Sequence, residues 1–349
     1  MDSLRPLRLC VMLFQVQQVI DHYKMLQIVC KRIGWAAAGF AALAALYARF
    51  IEPTQVHLDR FTVVLDRPGL PKEGLTILHL SDLHCRAESA VQAAKLARLH
   101  SLLNGQPYDL LLITGDLIHN AAGLPAALTF LATLQPRLAA FSCLGNRDYW
   151  ESSFAALLGD REQRAGMSRG AQIAYVLRQA LEFARRMVRN ERWTLHIHSN
   201  DIAALKAALL AHDIHPLVNQ SAHVSAGEVD LWIAGVDDLT QGQPDLAAAL
   251  QDVPEGAPLI LLAHNPDMWF SPGIERADLV LAGHTHGGQI RLPLLGAAYT
   301  QGSHLPRRNP AGWFERGRAR MFVGRGLGES FRFRFRAPPQ AALIKAVSR

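Results

Sequence analysis

Five short apolar runs in this chain each lead into side chains that can bind a metal ion. Leu75–Leu80 runs into Ser81-Asp82-Leu83-His84, Leu110–Thr114 into Gly115-Asp116, and Leu138–Leu144 into Gly145-Asn146-Arg147-Asp148. Leu259–Ala263 runs into His264-Asn265-Pro266-Asp267, and Asp278–Ala282 into Gly283-His284-Thr285-His286. Carboxylates and imidazoles are common ligands of divalent cations. Imidazoles two residues apart in extended backbone point the same way, so His284 and His286 are expected to share a face, suited to adjacent ions. One such pair carries little information. The repetition of the pattern at five separate places makes it specific.

These side chains need a scaffold, and the hydropathy pattern supplies one. Strands at 75–80, 109–114 and 138–144 alternate with helices at 88–103 and 124–134, the rhythm of right-handed strand-helix-strand units in an α/β fold. Further strands are expected near 216–219, 229–235 and 258–263. In such sheets ligands gather outside the carboxyl ends of the strands, so five strands ending this way describe one site. Upstream, residues 55–66 alternate with a change of parity (Val56 and Leu58, then Phe61, Val63 and Leu65) and read as an opening strand with a bulge.

The 349 residues suffice for a sizeable core, and half of them are hydrophobic, which excludes a disordered or fibrous chain. A net charge of +6 favours an anionic partner: phosphate, an acidic membrane surface or nucleic acid. Nucleic acid is the weakest of these, since no recognition helix or aromatic-basic platform is present. The four cysteines include no C-x-x-C pair and are read as small thiols without disulfides. Residues 33–48 carry no charge, with Trp35 and Tyr47 near the ends as interfacial aromatics. With Leu9–Val29 as an interfacial helix, the N-terminus is read as a membrane attachment. Lys31 and Arg32 before the apolar segment lean toward an inside N-terminus, and a cleaved signal peptide would require a start such as Met25.

Between Trp150 and Ile214 the alternation breaks. Ile173, Val176, Leu177, Ala180, Leu181, Ala184 and Val188 form an apolar stripe on a helix decorated by Arg178, Arg185, Arg186, Arg189 and Arg192. Its two readings are a solvated helix packed on the body and a cap over the site. Phe331–Arg336 alternates aromatic and cationic residues and reads as a half-buried edge strand whose arginines repel other edges, with a row facing membrane phosphates as the alternative, followed by a strand at 341–347. His119, three residues past Asp116, is read as ordinary, with a place at the edge of the site as the alternative. His196 and His198 repeat the His-x-His spacing without a strand end and are read as ordinary.

Taken in order, Asp-x-His, Gly-Asp, Gly-Asn-x-Asp, a lone His after an apolar run and Gly-His-x-His make the chain resemble the calcineurin-like metallophosphoesterases over about residues 54–346, the insert excepted. Residues 233–238, 263–267, 287–289 and 325–328 look like the membrane-anchored bacterial branch of that family. The resemblance implies an α/β fold of two sheets in an αββα sandwich. Residues 1–53 would be the anchoring region, and 54–349 the metallophosphoesterase domain with a helical, cap-like insertion at about 151–198. It implies two divalent metal ions. Asp82, His84 and His286 would hold the first, Asn146, His264 and His284 the second, and Asp116 would bridge them. The mixed nitrogen and oxygen donors suit Mn2+, with Fe or Zn2+ as alternatives.

One departure from the family pattern is informative. Arg147 stands where the family usually has a histidine. A histidine can protonate an alkoxide leaving group; an arginine holds its proton but grips phosphate oxygens with a planar fork. Arg147 therefore favours a pyrophosphate, whose leaving group is already an anion, and Asp148 beside it is either its orienting partner or a purely structural carboxylate. The Gly145–Asp148 motif is similar to that of the UDP-2,3-diacylglucosamine diphosphatases of lipid A biosynthesis. The expected activity is hydrolysis of a UDP-linked diacyl sugar at a bacterial inner membrane, with no nucleic acid and no obligate protein partner. The cytosolic location of such a substrate conflicts with the leaning of the charges, unless the attachment is monotopic. The alternatives are a broader phosphodiesterase or phosphatase acting on phospholipid or cell-envelope phosphates outside the cytoplasm, and a metal-binding scaffold without turnover.

Overall fold

The computed structural model of the chain describes residues 5–348 apart from 66, 68, 88, 152–163, 165, 193–197 and 330; for residues 5–21 it describes the backbone only. It divides into two units, Met1–Ala48 and Arg49–Arg349.

The first unit is one helix, α1 (Arg5–Leu46). No proline or glycine interrupts residues 7–33, so nothing in the chain separates the expected interfacial helix from the uncharged segment, and the two are continuous. From His22 to Thr54 the helical chain is 33 residues long with a mean hydropathy of 1.4, longer than the roughly 20 residues a bilayer span needs. Trp35, Phe40 and Leu43 are exposed, as expected of a helix whose apolar surface meets lipid.

The second unit is built on two six-stranded sheets. The first takes β1 (His57–Val64), β2 (Leu75–Leu80), β3 (Leu110–Thr114), β4 (Ala139–Cys143), β5 (Ile214–Pro216) and β12 (Gln340–Val347), in the order β1-β12-β2-β3-β4-β5. The second takes β6 (Gln220–Ala226), β7 (Val229–Gly235), β8 (Leu259–Leu262), β9 (Leu279–Ala282), β10 (Gly312–Arg316) and β11 (Ala319–Val323), in the order β10-β11-β9-β8-β7-β6. Strands β2 to β5 are mutually parallel, as are β7, β8, β9 and β11. Strands buried on both faces read as unbroken apolar runs, which is why Leu110–Thr114 and Leu279–Ala282 stand out in the sequence.

Three apolar layers make the αββα sandwich. One lies between the first sheet and helices α2 (Ala90–Leu103), α3 (Leu124–Leu131) and α5 (Ile202–Leu210), through Leu99, Phe130 and Leu205. A second joins the inner faces of the sheets, through Ile77, Leu112, Ile233 and Phe322. The third covers the outer face of the second sheet, with Leu250 of α6 (Leu246–Leu250) and Trp269.

Two expectations about strands are corrected. β1 pairs with β12 from His57–Gln340 to Val64–Val347 without a slip, so it has no bulge. The change of parity arises because Leu58 packs into the helix-covered layer while Phe61 and Val63 pack between the sheets, each face being apolar over half the strand. Phe331–Arg336 is not a strand: Phe335 alone forms a bridge, to Ile290, and Arg336 has φ +58°. Arg334 faces inward and is fully buried.

Within the insertion, α4 (Arg169–Arg189) buries none of its residues, leaving Ile173, Leu177, Leu181 and Val188 exposed. Its C-terminal end is tied to the loop at 298–307. Asn190 accepts from the Thr300 amide at 3.0 Å and donates to the Ser303 carbonyl at 3.0 Å, while Arg307 donates to the carbonyls of Met187 and Val188. His196 lies outside the described residues, and His198 is exposed.

Candidate metal centre

All seven candidate ligands lie just past the carboxyl ends of parallel strands. Asp82 and His84 follow β2, Asp116 follows β3 and Asn146 follows β4, while His264 follows β8 and both His284 and His286 follow β9. The two sheets deliver these loops to one place. Apart from half-buried Asn146, each of the seven is buried.

The ligands form two groups. Asp82, His84 and His286 have ligand atoms within 4.8 Å of one another, as do Asp82, Asp116 and His264. Nε2 of His84 lies 3.2 Å from Nε2 of His286, and the Asp82 carboxylate is 3.9 and 3.6 Å from them. Around His264, Asn146 Oδ1 is 3.3 Å from Nε2, and Nδ1 of His284 is 3.2 Å from the same nitrogen and 3.0 Å from Asn146 Oδ1. Asp116 reaches both groups, with Oδ2 3.5 Å from His84 and Oδ1 3.4 Å from His264.

The residues fit divalent cations on their own geometry. Nδ1 of His264 donates to the Thr114 carbonyl at 2.8 Å, and Nδ1 of His286 donates to the Gly328 carbonyl at 3.1 Å. Both rings therefore turn Nε2 into the cluster, the orientation a metal ligand requires. Lone pairs brought this close, together with carboxylates, repel one another or lose solvation unless positive charge lies between them. Nδ1 of His84 and Nε2 of His284, the nitrogens turned away from these contacts, are buried without a hydrogen-bond partner.

Electrostatics follow the same crowding. Burial pushes the Asp82 carboxyl up to about 6, partly opposed by His264. Burial also acts to raise Asp116, but His264, His84 and Arg147 outweigh it and hold Asp116 well below the usual carboxylate range. Burial lowers His84 and His286 and takes His284 down to about 3, keeping these imidazoles neutral. In His264 the surrounding Asp116, Asp82 and Asp238 carboxylates overcome the effect of burial and raise its value.

Backbone conformation explains why sequence spacing misjudged the histidine pair. His284 and His286 have φ of +67° and +52°, separated by Thr285 in right-handed helical backbone. The pair is therefore not extended, and its members go to different groups, His284 to Asn146 and His264, His286 to Asp82 and His84. Asp82, His84 and Asp116 also have φ near +50°, a region costly for residues other than glycine. Packing imposes it. A Cβ on Gly145 would overlap Asp116 Oδ1, and one on Gly283 would overlap Ser81 and Asp82, so these loops approach too closely for any side chain.

Asp148 does not pair with Arg147. Its Oδ2 accepts from the amides of Gly145 and Asp116 at 2.8 and 2.9 Å, and its Oδ1 from Leu117 and Ile118 at 2.8 and 3.3 Å. Burial and the Asp116 charge raise its value while these N–H groups oppose the rise. With two N–H groups on each oxygen, the cradle accepts the ionised form and leaves no lone pair to carry a proton. Main-chain amides, and not the Arg147 guanidinium, are the hydrogen-bond partners of Asp148 among the described residues. Arg147 is anchored by its backbone: its amide donates to Asp116 Oδ1 at 2.7 Å and its carbonyl accepts from Asn200 at 3.1 Å. Its half-buried guanidinium makes no hydrogen bond or ion pair among the described residues. His119 sits beside His84, ring centres 6.2 Å apart, with its Nδ1 3.3 Å from Arg86.

Sequence reasoning missed Ser81, which donates to Asp82, and a buried cluster of Lys95, Glu329 and Arg334 behind His286. Ser81 stands next to a ligand and was within reach of inspection. Arg334 was hidden by the alternation around it.

An αββα sandwich with two groups of buried histidines and carboxylates at the strand ends is the framework of a dinuclear metallophosphohydrolase. The chain belongs to the calcineurin-like phosphoesterase family, whose profile matches residues 75–288. That family is dinuclear and metal-dependent. The chain is 30% identical to the UDP-2,3-diacylglucosamine pyrophosphatase LpxG of Chlamydia trachomatis, over 87% of this chain and 93% of that protein. It is 26% identical to the uncharacterized metallophosphoesterase YkuE of Bacillus subtilis, over 85% and 88%. It is 31% identical to the phosphodiesterase YaeI of Escherichia coli, over 38% and 47%.

Proposed function

We propose that this chain hydrolyses the pyrophosphate bond of UDP-2,3-diacylglucosamine, giving UMP and 2,3-diacylglucosamine 1-phosphate. The observation that carries this reading is the match to a pyrophosphatase of that substrate along 93% of the relative's length. In this reading Asp82, His84 and His286 would hold one cation and Asn146, His264 and His284 a second, with Asp116 shared between them. The cations, Mn2+ in the first instance, supply Lewis-acid stabilisation of phosphoryl oxygens and acidify an attacking water.

The chain's own residues do the rest. Asp148 fixes the spacing between the Asp116 and Asn146 loops by joining the amides of Asp116 and Gly145. The Arg147 guanidinium, without a hydrogen bond among the described residues, grips substrate phosphate oxygens and stays charged throughout. Water forms one new P–O bond and gives up its proton to solvent, the P–O–P bond breaks, and the departing phosphate keeps the electron pair without needing a proton from the protein. The exposed stripe of α4, flanked by Arg178 and Arg185, offers an apolar surface and positive charge to a lipid substrate. Helix α1 attaches the chain to the bilayer in which such a substrate resides.

Metal-dependent release of UMP from UDP-2,3-diacylglucosamine by the purified protein tests this reading. Brisk cleavage of simple phosphodiesters with no UMP formed would instead support the second reading, a broader phosphodiesterase, which the match to the E. coli phosphodiesterase favours. A topology reporter fused after Arg349 locates the domain: a cytoplasmic signal agrees with a UDP-sugar substrate, and an external one with envelope phosphates.

A further inference from the structure

Arg334 lies completely buried behind the metal centre and uses all five of its N–H donors. Nε donates to Glu329 at 2.9 Å, and Nη1 donates to the carbonyls of Arg325 and Ala337 at 3.1 and 2.9 Å. Nη2 donates to the carbonyls of Gly326 at 3.2 Å and Gly328 at 2.5 Å. Glu329 is in turn held by Lys95 Nζ at 2.6 Å. Burying three charges is costly unless geometry compensates, so a cluster this complete calls for an account of what it holds.

What it holds is the segment 325–328. There the Leu327 amide donates to the Ser81 carbonyl at 3.1 Å and the Gly328 amide donates to the Asp82 carbonyl at 2.6 Å. The Gly328 carbonyl, shared with Arg334, accepts the Nδ1 proton of His286 at 3.1 Å. A Cβ at Gly328 would overlap the carbonyl oxygen of Leu83, so the segment lies directly against the loop carrying Asp82 and His84.

We propose that Arg334 is a positioning residue for one half of the metal centre: by fixing the Gly328 carbonyl it holds His286 with Nδ1 protonated and its Nε2 lone pair aimed toward Asp82 and His84. This rests on the two-cation reading of the site. The other half does not depend on Arg334, because His264 is oriented by the Thr114 carbonyl of β3. Lysine offers three donors and no planar fork, so Arg334→Lys cannot serve four carbonyls and a carboxylate together. The consequence is selective: one of the two cation affinities falls and the other stays.

The test is calorimetric titration of Mn2+ into the metal-free full-length protein in detergent, with melting temperatures recorded alongside. Wild type takes up two ions per chain. Arg334→Lys weakens one by about 10–100-fold and leaves the other unchanged, the range seen when groups supporting a histidine ligand are removed. Lys95→Met removes the bonds to Glu329 and to the Leu327 carbonyl but leaves the Gly328 carbonyl with its Arg334 donor, and lowers the melting temperature with both affinities retained. Independently of any variant, nitrogen NMR of the metal-free wild type shows His286 as the Nδ1–H tautomer.

Unchanged affinities in Arg334→Lys overturn the proposal, as does equal loss in Lys95→Met or a protonated Nε2 on His286 in the wild type. Fewer than two ions bound by the wild type would count against the two-cation reading itself. That outcome is distinct from a failure of Arg334's role.

Discussion

Asp148→Asn separates a carboxylate that builds the site from one that takes part in the reaction. The replacement is nearly isosteric, so its effect comes from hydrogen-bonding chemistry and not from shape. Each Asp148 oxygen accepts two main-chain N–H groups. Asparagine keeps one acceptor oxygen; its NH2 group then faces two N–H donors in a site with no solvent. Two charge-assisted bonds are lost, at about 1.5–3 kcal/mol each, so the variant loses about 3–6 kcal/mol. Against a typical stability of about 5–15 kcal/mol this is a large fraction. It corresponds to a fall in melting temperature of roughly 6–12 °C or more. The loops carrying Asp116 and Asn146 lose their shared anchor, so Mn2+ uptake weakens as well. Differential scanning fluorimetry of the metal-free protein reads the first effect and metal titration the second. A variant that melts within about 2 °C of wild type and binds Mn2+ normally, yet has a raised KM, would refute this reasoning and restore Asp148 as a partner of Arg147.

Three further outcomes are expected. Arg147→Ala raises KM for the pyrophosphate substrate by about 10–100-fold, the worth of one charge-assisted contact, with little change in melting temperature; unchanged KM would remove Arg147 from substrate binding. Gly145→Ala places a methyl group against Asp116 Oδ1, so metal content measured by mass spectrometry drops below two ions per chain; full occupancy would show that the loops can yield. Deleting residues 1–48 moves the protein from the membrane fraction to the soluble fraction on sedimentation; continued sedimentation with membranes would place a second attachment in the remaining chain.

The loops that carry the candidate ligands were legible because buried parallel strands leave an unmistakable mark: an apolar run that stops where a polar loop begins. Asp116 after Leu110–Thr114 and His264 after Leu259–Ala263 need no more than that. The layers of the fold came with them, since alternating runs and amphipathic helices dictate covered sheets. What spacing does not encode is backbone handedness. Left-handed turns at Asp82, His84, Asp116, His284 and His286 come from close approach between distant loops, and they send His284 and His286 to different groups. Asp148 was ambiguous for a related reason, because its partners are main-chain amides that a sequence does not display. Arg334 was misread outright. Alternation with phenylalanines made it look like an outward edge residue, whereas the carbonyls of residues 325–328 and 337 form a polar pocket that only a folded loop creates.

The most direct test of the two-cation centre is anomalous scattering from crystals of the full-length protein grown with Mn2+. Two peaks are predicted, one among Asp82, His84 and His286 and one among Asn146, His264 and His284, with Asp116 contributing an oxygen to each. A single peak, or metal bound away from these seven side chains, would contradict the account.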